Sequence, residues 1–123
     1  MKIECVKEKI SKAISQVERV TGKNLSLPIL GCVLLEAEKN NLIVRATNLD
    51  IGVEINIPTK VIETGKVAVY GSVLNNLLNN IPGDKSVIFE TTENNLLKIT
   101  SNKTNTTVKT LPHEDFPSIP RVS

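Results

Sequence analysis

One histidine, two cysteines and an adjacent acidic pair are the residues whose chemistry could mark a catalytic or metal centre. His113 stands in Pro112-His113-Glu114-Asp115-Phe116-Pro117, an acidic stretch bounded by prolines. A small hydrolase built on His113 with Glu114 or Asp115 would need a nucleophile beside the imidazole and an acid to orient it. No G-x-S-x-G, P-loop or G-x-G-x-x-G string provides such a frame. A structural loop histidine is the simpler account. Cys5 and Cys32 have no C-x-x-C spacing, and one distant histidine cannot complete a zinc site with them. Two neighbouring carboxylates are a weak metal signal. No metal, cofactor or catalytic residue is expected.

The cations carry more information. Residues 1–23 hold six basic and three acidic side chains, whereas residues 24–123 hold nine basic and ten acidic. The formal net charge of +2 therefore hides an excess gathered at one end. At about 100° per residue, Val6, Ile10, Ala13, Ile14, Val17 and Val20 fall on one arc of a helix beginning at Lys7 and running to about Thr21. Lys9, Lys12, Gln16, Arg19 and Lys23 fall together on the other side, with Glu8 at the margin. A solvated face needs polar residues but no single sign, so both a solvated face and a polyanion-binding stripe fit this pattern.

A second helix follows Ser72, a suitable N-cap, with Val73, Leu74, Leu77, Leu78 and Ile81 as its apolar stripe. Its other face carries Ser72, Asn75, Asn76, Asn79 and Asn80, uncharged and rich in amides. Short amides can donate to phosphate oxygens or hold bridging water. Asn is also frequent elsewhere in this chain (Asn24, Asn40 and Asn41 among others), so compositional drift is the simpler account of the same face.

These helices are set among strands. Alternation or β-branched apolar runs predict strands at 1–6, 29–38, 42–47 and 51–57, then at 66–70, 86–92, 96–101 and 106–111. Each half of the chain thus reads β-α-β-β-β, a repeat of pattern and not of residues. Short polar connections such as Lys39-Asn40-Asn41 and Glu93-Asn94-Asn95 require antiparallel pairing. The expected class is α+β, with two helices covering the apolar face of antiparallel sheet.

The chain has 123 residues, 40% hydrophobic and 23% charged, the composition of a single globular domain. No run approaches the roughly 20 apolar residues of a membrane span. Met1-Lys2-Ile3-Glu4 does not read as a secretory leader, so a reducing cytoplasm with free cysteines is expected. Only 2% of residues are aromatic, which disfavours the stacking platforms that hold single strands.

Three strings occur in a familiar order and spacing: Leu27-Pro28-Ile29-Leu30-Gly31, Ala46-Thr47-Asn48-Leu49-Asp50, and Thr110-Leu111-Pro112 followed by Glu114-Asp115-Phe116-Pro117. Together with the doubled β-α-β-β-β order, they make the chain resemble the N-terminal domain of the bacterial sliding-clamp family, the beta subunit of DNA polymerase III. The resemblance covers essentially the whole chain. It implies a DNA clamp domain at 1–117, with sheets outside and two helices on the inner face, and 118–123 as the start of a linker to a second domain.

The same resemblance implies function. Family members carry three such domains, and two chains close into a homodimeric ring around duplex DNA, without sequence specificity, that keeps the replicative polymerase attached. No chemistry occurs in the clamp. Polymerase and clamp loader are expected to bind through other domains. The implied DNA-facing residues are Lys9, Lys12, Gln16, Arg19, Lys23, Asn24, Ser72, Asn75, Asn76 and Asn79. Asn24 and Ser72 occupy positions where relatives are often basic, so a weaker grip is expected from the second helix. The implied ring interface is the edge strand Lys103–Lys109, through Lys103, Thr106 and Val108. A stand-alone polyanion- or protein-binding α+β module is the alternative.

Overall fold

A computed structural model describes residues 1–19, 31–47, 52–81, 86–101 and 104–111. The first strand, β1 (Lys2–Val6), buries Ile3 and Cys5 on alternate positions and runs directly into α1 (Lys7–Glu18). Val6 is the N-cap, in extended conformation and with no side-chain cap. The same device recurs later. Strand β6 (Gly65–Tyr70) enters α2 (Gly71–Asn80) through Tyr70, again extended and uncapped by a side chain. The N-cap expected at Ser72 therefore lies two residues earlier, because the strand itself sets the helix start.

Helix α1 buries Ile10, Ala13, Ile14 and Val17, the expected arc. Its last helical residue is Glu18, and Val20 lies outside the described residues. Val6 departs from that arc, exposed at 46% as the joint between strand and helix. Helix α2 buries Leu74 and Leu78, with Ile81 just beyond them. Val73, expected in the stripe, lies on its flank and is 47% exposed.

Three-strand meanders follow each helix. The first comprises β2 (Cys32–Glu38), β3 (Asn41–Thr47) and β4 (Gly52–Pro58). Its first hairpin turns at Lys39 and Asn40, both at positive φ, the geometry a tight two-residue turn demands. The second comprises β7 (Ser86–Thr91), β8 (Leu96–Ser101) and β9 (Thr104–Leu111).

The halves exchange their first strands. β1 pairs with β7 of the second meander, and β6 pairs with β2 of the first, all antiparallel. The full order is β4-β3-β2-β6-β9-β8-β7-β1-β5. Among the described residues β6 and β9 pair at Ala68–Leu111 and Val69–Thr110, so two sheets join at one corner. This interlocking buries one core shared by both helices and both sheets, including Ile3, Ile10, Leu35, Leu74 and Phe89. A smaller cluster of Cys32, Leu34 and Ala68 lies apart from it.

One strand is additional to the expected eight. β5 (Lys60–Glu63) pairs with β1 and forms the far end of the sheet order. Its sequence carries no strand signature because Val61 alone is half-buried while Lys60, Ile62 and Glu63 are exposed. The link to β4 is Thr59, a buried corner residue whose N–H donates to Asn40 O at 3.1 Å and whose hydroxyl donates to Ile57 O at 3.0 Å.

Candidate nucleic-acid interface

Because α1 turns Ile10, Ala13, Ile14 and Val17 into the core, its opposite face must be solvent-facing. Lys9, Lys12, Gln16 and Arg19 are all exposed there. Among the described residues no ion pair ties Lys9, Lys12 or Arg19 to an acid, so three full charges point outward unneutralised. α2 packs beside α1. Ser11 Oγ donates to Asn79 Oδ1 across the gap at 3.4 Å. Ser72, Asn76 and Asn79 are exposed, and Asn80 Nδ2 donates back to Asn76 O at 2.9 Å. Asn75 differs: it is half-buried, and its Oδ1 is enclosed without a partner.

The two helices thus present adjoining faces of unlike kind, one cationic and one of neutral amides. Such a surface attracts phosphates at long range without presenting base-reading pairs at fixed register. Lys23 and Asn24 lie outside the described residues, as do Lys103 and His113 with its acidic neighbours. Among the described residues, no group of three or more His, Cys, Asp or Glu side chains is placed to hold a metal ion.

A second feature lies along β9. Its stretch Thr104–Lys109 pairs with β8 on one side, while β6 engages only Thr110 and Leu111 on the other. Among the described residues an unpaired strand edge is left, and beside it opens a largely apolar groove of about 290 Å3. The groove is lined by Val69, Tyr70, Val73, Thr107, Val108 and Lys109. Thr106 is half-buried and Val108 is buried. Tyr70 and Val73, exposed at 37% and 47%, were not among the residues expected here. The signal that could have found Val73 is its place one residue outside the Leu74-Leu78-Ile81 line.

The cysteines take no part in either feature. Both are free and buried. Burial, with a smaller push from the Glu4 charge, raises the Cys5 thiol to about 12, and burial raises Cys32 to about 11. Neither forms a reactive thiolate near neutral pH.

An internally duplicated α+β domain with paired helices on one side and an open sheet edge defines a clamp-type module. Residues 1–120 match the family model for the DNA polymerase III beta subunit, N-terminal domain. The chain belongs to that family. It is 30% identical to the beta sliding clamp of Synechocystis sp. over 99% of its own length and 33% of the relative's. It is 30% identical to the beta sliding clamp of Vibrio harveyi, covering 97% of this chain and 82% of that one. The DNA polymerase sliding clamp of Caulobacter crescentus has the same fold, with a TM-score of 0.92 at 24% identity, covering 98% of this chain and 33% of that one. The chain spans about a third of the length of such full-length relatives.

Proposed function

We propose that this chain acts as the first of three domains of a DNA sliding clamp, a non-catalytic processivity subunit of the replicative polymerase. Two full-length subunits close into a ring around duplex DNA in the bacterial cytoplasm. The observation that carries the proposal is the row of exposed, unpaired Lys9, Lys12 and Arg19 on one helix, beside an amide-faced helix. Long flexible cations hold phosphates by attraction that does not depend on sequence, so a ring can move along the duplex. Gln16, Asn76, Asn79 and Ser72 add neutral polar contact, and Lys23 and Asn24, outside the described residues, are taken as further DNA contacts on the family resemblance.

The β9 edge supports ring closure. A strand from the other subunit's third domain can add to Thr104–Lys109 and place apolar side chains in the groove at Tyr70, Val73 and Val108. Thr106 flanks that contact, and Lys103, outside the described residues, is taken as part of the interface on the family resemblance. Polymerase and clamp loader bind elsewhere on the full-length ring, and no cofactor is used.

Fluorescence anisotropy with two unrelated labelled duplexes tests the DNA proposal. Weak binding of equal strength to both, falling steeply with salt, is expected. Tight, sequence-dependent or salt-insensitive binding overturns it in favour of a stand-alone module.

A further inference from the structure

Helix α2 carries no charged side chain, so what it can offer a duplex is hydrogen bonding. Its asparagines are not equivalent. Asn80 spends its Nδ2 on Asn76 O at 2.9 Å, a bond within its own helix. Asn79 instead accepts the Ser11 hydroxyl at Oδ1, 3.4 Å away across the seam between the helices. Asn75 has its Oδ1 enclosed, with no partner among the described residues. In Asn75 and Asn79 alike the acceptor atom is withdrawn, by enclosure in one and by Ser11 in the other. Their Nδ2 donors are left for a ligand. A carboxamide that reads adenine needs both of its polar atoms, one to accept and one to donate. One that meets a phosphate needs only the donor, because backbone phosphate oxygens accept.

We infer that Ser11 is a positioning residue for duplex binding: by holding Asn79 Oδ1 it turns the Asn79 Nδ2 donors to backbone phosphate and removes the pairing that would read a base. Ser11 is half-buried, reaches towards α2 and stands outside the row of Lys9, Lys12, Gln16 and Arg19, so it acts through Asn79. The inference rests on the duplex reading above and adds to it the orientation of one amide.

Titration of the isotope-labelled 123-residue chain with an unlabelled duplex, followed by nuclear magnetic resonance, tests it. The side-chain amide signals of Asn75 and Asn79 should shift together with the backbone signals of α1, while the side-chain signal of Asn80 stays in place. Ser11→Ala should weaken duplex affinity about threefold, the worth of one neutral hydrogen bond. Its slope against salt should not change, because no cation is lost. Ala is the better helix former, so α1 is kept. Asn79→Ala should weaken binding at least as much, and adding Ser11→Ala to it should cost nothing more, since no amide is left to orient. A packing role for Ser11 would instead lower affinity equally in both backgrounds. That additive result, no loss from Ser11→Ala, or α1 signals that move while the Asn75 and Asn79 amides do not, overturns the inference and leaves the duplex reading standing. A duplex that moves no signal removes both.

Discussion

Arg45 Nη1 donates a 2.7 Å hydrogen bond to Glu36 Oε2, tying β3 to β2 on the face opposite the helices. The same guanidinium donates from Nε to Glu54 Oε2 at 2.8 Å, tying β3 to β4. Burial alone would lower the Arg45 pKa. The Glu54 hydrogen bond and the charges of both acids outweigh it, and the net shift is upward. With side chains exposed at only 13% and 12%, Arg45 and Glu36 depend on each other for charge compensation. Arg45→Met should therefore destabilise the chain by about 2 kcal/mol, read from urea denaturation midpoints. Adding Glu36→Gln should cost less than its single-variant effect, because the stranded charge is then gone.

The unlike faces of α1 and α2 predict unlike responses to salt. Lys12→Gln with Arg19→Gln should flatten the slope of log affinity against log salt by about 1.8, at roughly 0.9 per phosphate contact. Asn76→Ala with Asn79→Ala should leave that slope unchanged. Anisotropy titrations at several salt concentrations measure both, and an equal loss of slope from the α2 pair would refute the division of labour.

Along β9, Val73→Asp places a charge in the groove beside the open edge. Val73 is already 47% exposed, so the folded domain should keep its stability within about 0.5 kcal/mol. In a chimera with residues 1–117 replacing the first domain of a full-length clamp, the same change should shift sedimentation from dimer towards monomer. An intact dimer would remove the groove from the proposed interface.

Cys5 and Cys32 set an alkaline limit. Their folded-state pKa values, about 12 and about 11, lie above the ordinary thiol value. Below that ordinary value both states keep their protons, and the stabilisation is fully present. As pH rises above about 9, the unfolded chain releases protons that the folded chain retains, and stability falls until the folded thiols also titrate. Thermal midpoints should decline more steeply above pH 9 for wild type than for a Cys5→Ala, Cys32→Ala chain compared with its own neutral-pH value.

A Cβ on Gly65 would lie 2.9 Å from Met1 Cβ and 3.0 Å from Met1 N. Those neighbours are backbone or adjoin it and cannot swing aside. Gly65→Ala should cost about 1–3 kcal/mol in chemical denaturation. This close approach has no trace in local sequence, since Gly65 and Met1 meet only through packing of distant segments.

Much of the architecture is legible from periodicity because burial on one side leaves a regular mark. Ile10, Ala13, Ile14 and Val17 recur at helical spacing, and the structure buries all four. β5 left no such mark, because pairing with β1 defines it and only Val61 turns inward. The site divides in the same way. Lys9, Lys12, Gln16 and Arg19 are legible as one face of one helix. Asn75 reads as part of the amide face, yet contact with its surroundings encloses its Oδ1. Tyr70 and Val73 join Thr107, Val108 and Lys109 only because β6 and β9 meet at a corner.

The sequence by itself determined two amphipathic helices, two three-strand meanders and a charge excess confined to one helix face, since each follows from local periodicity. The three strings suggest the family by resemblance, and the match of residues 1–120 to the family model shows it. Tertiary structure alone decided that the halves exchange first strands, that β5 caps one end, and that, among the described residues, β9 keeps an open edge beside a groove. Strand partnership is a non-local hydrogen-bonding choice, and an edge or a groove exists only once every competing partner has been placed.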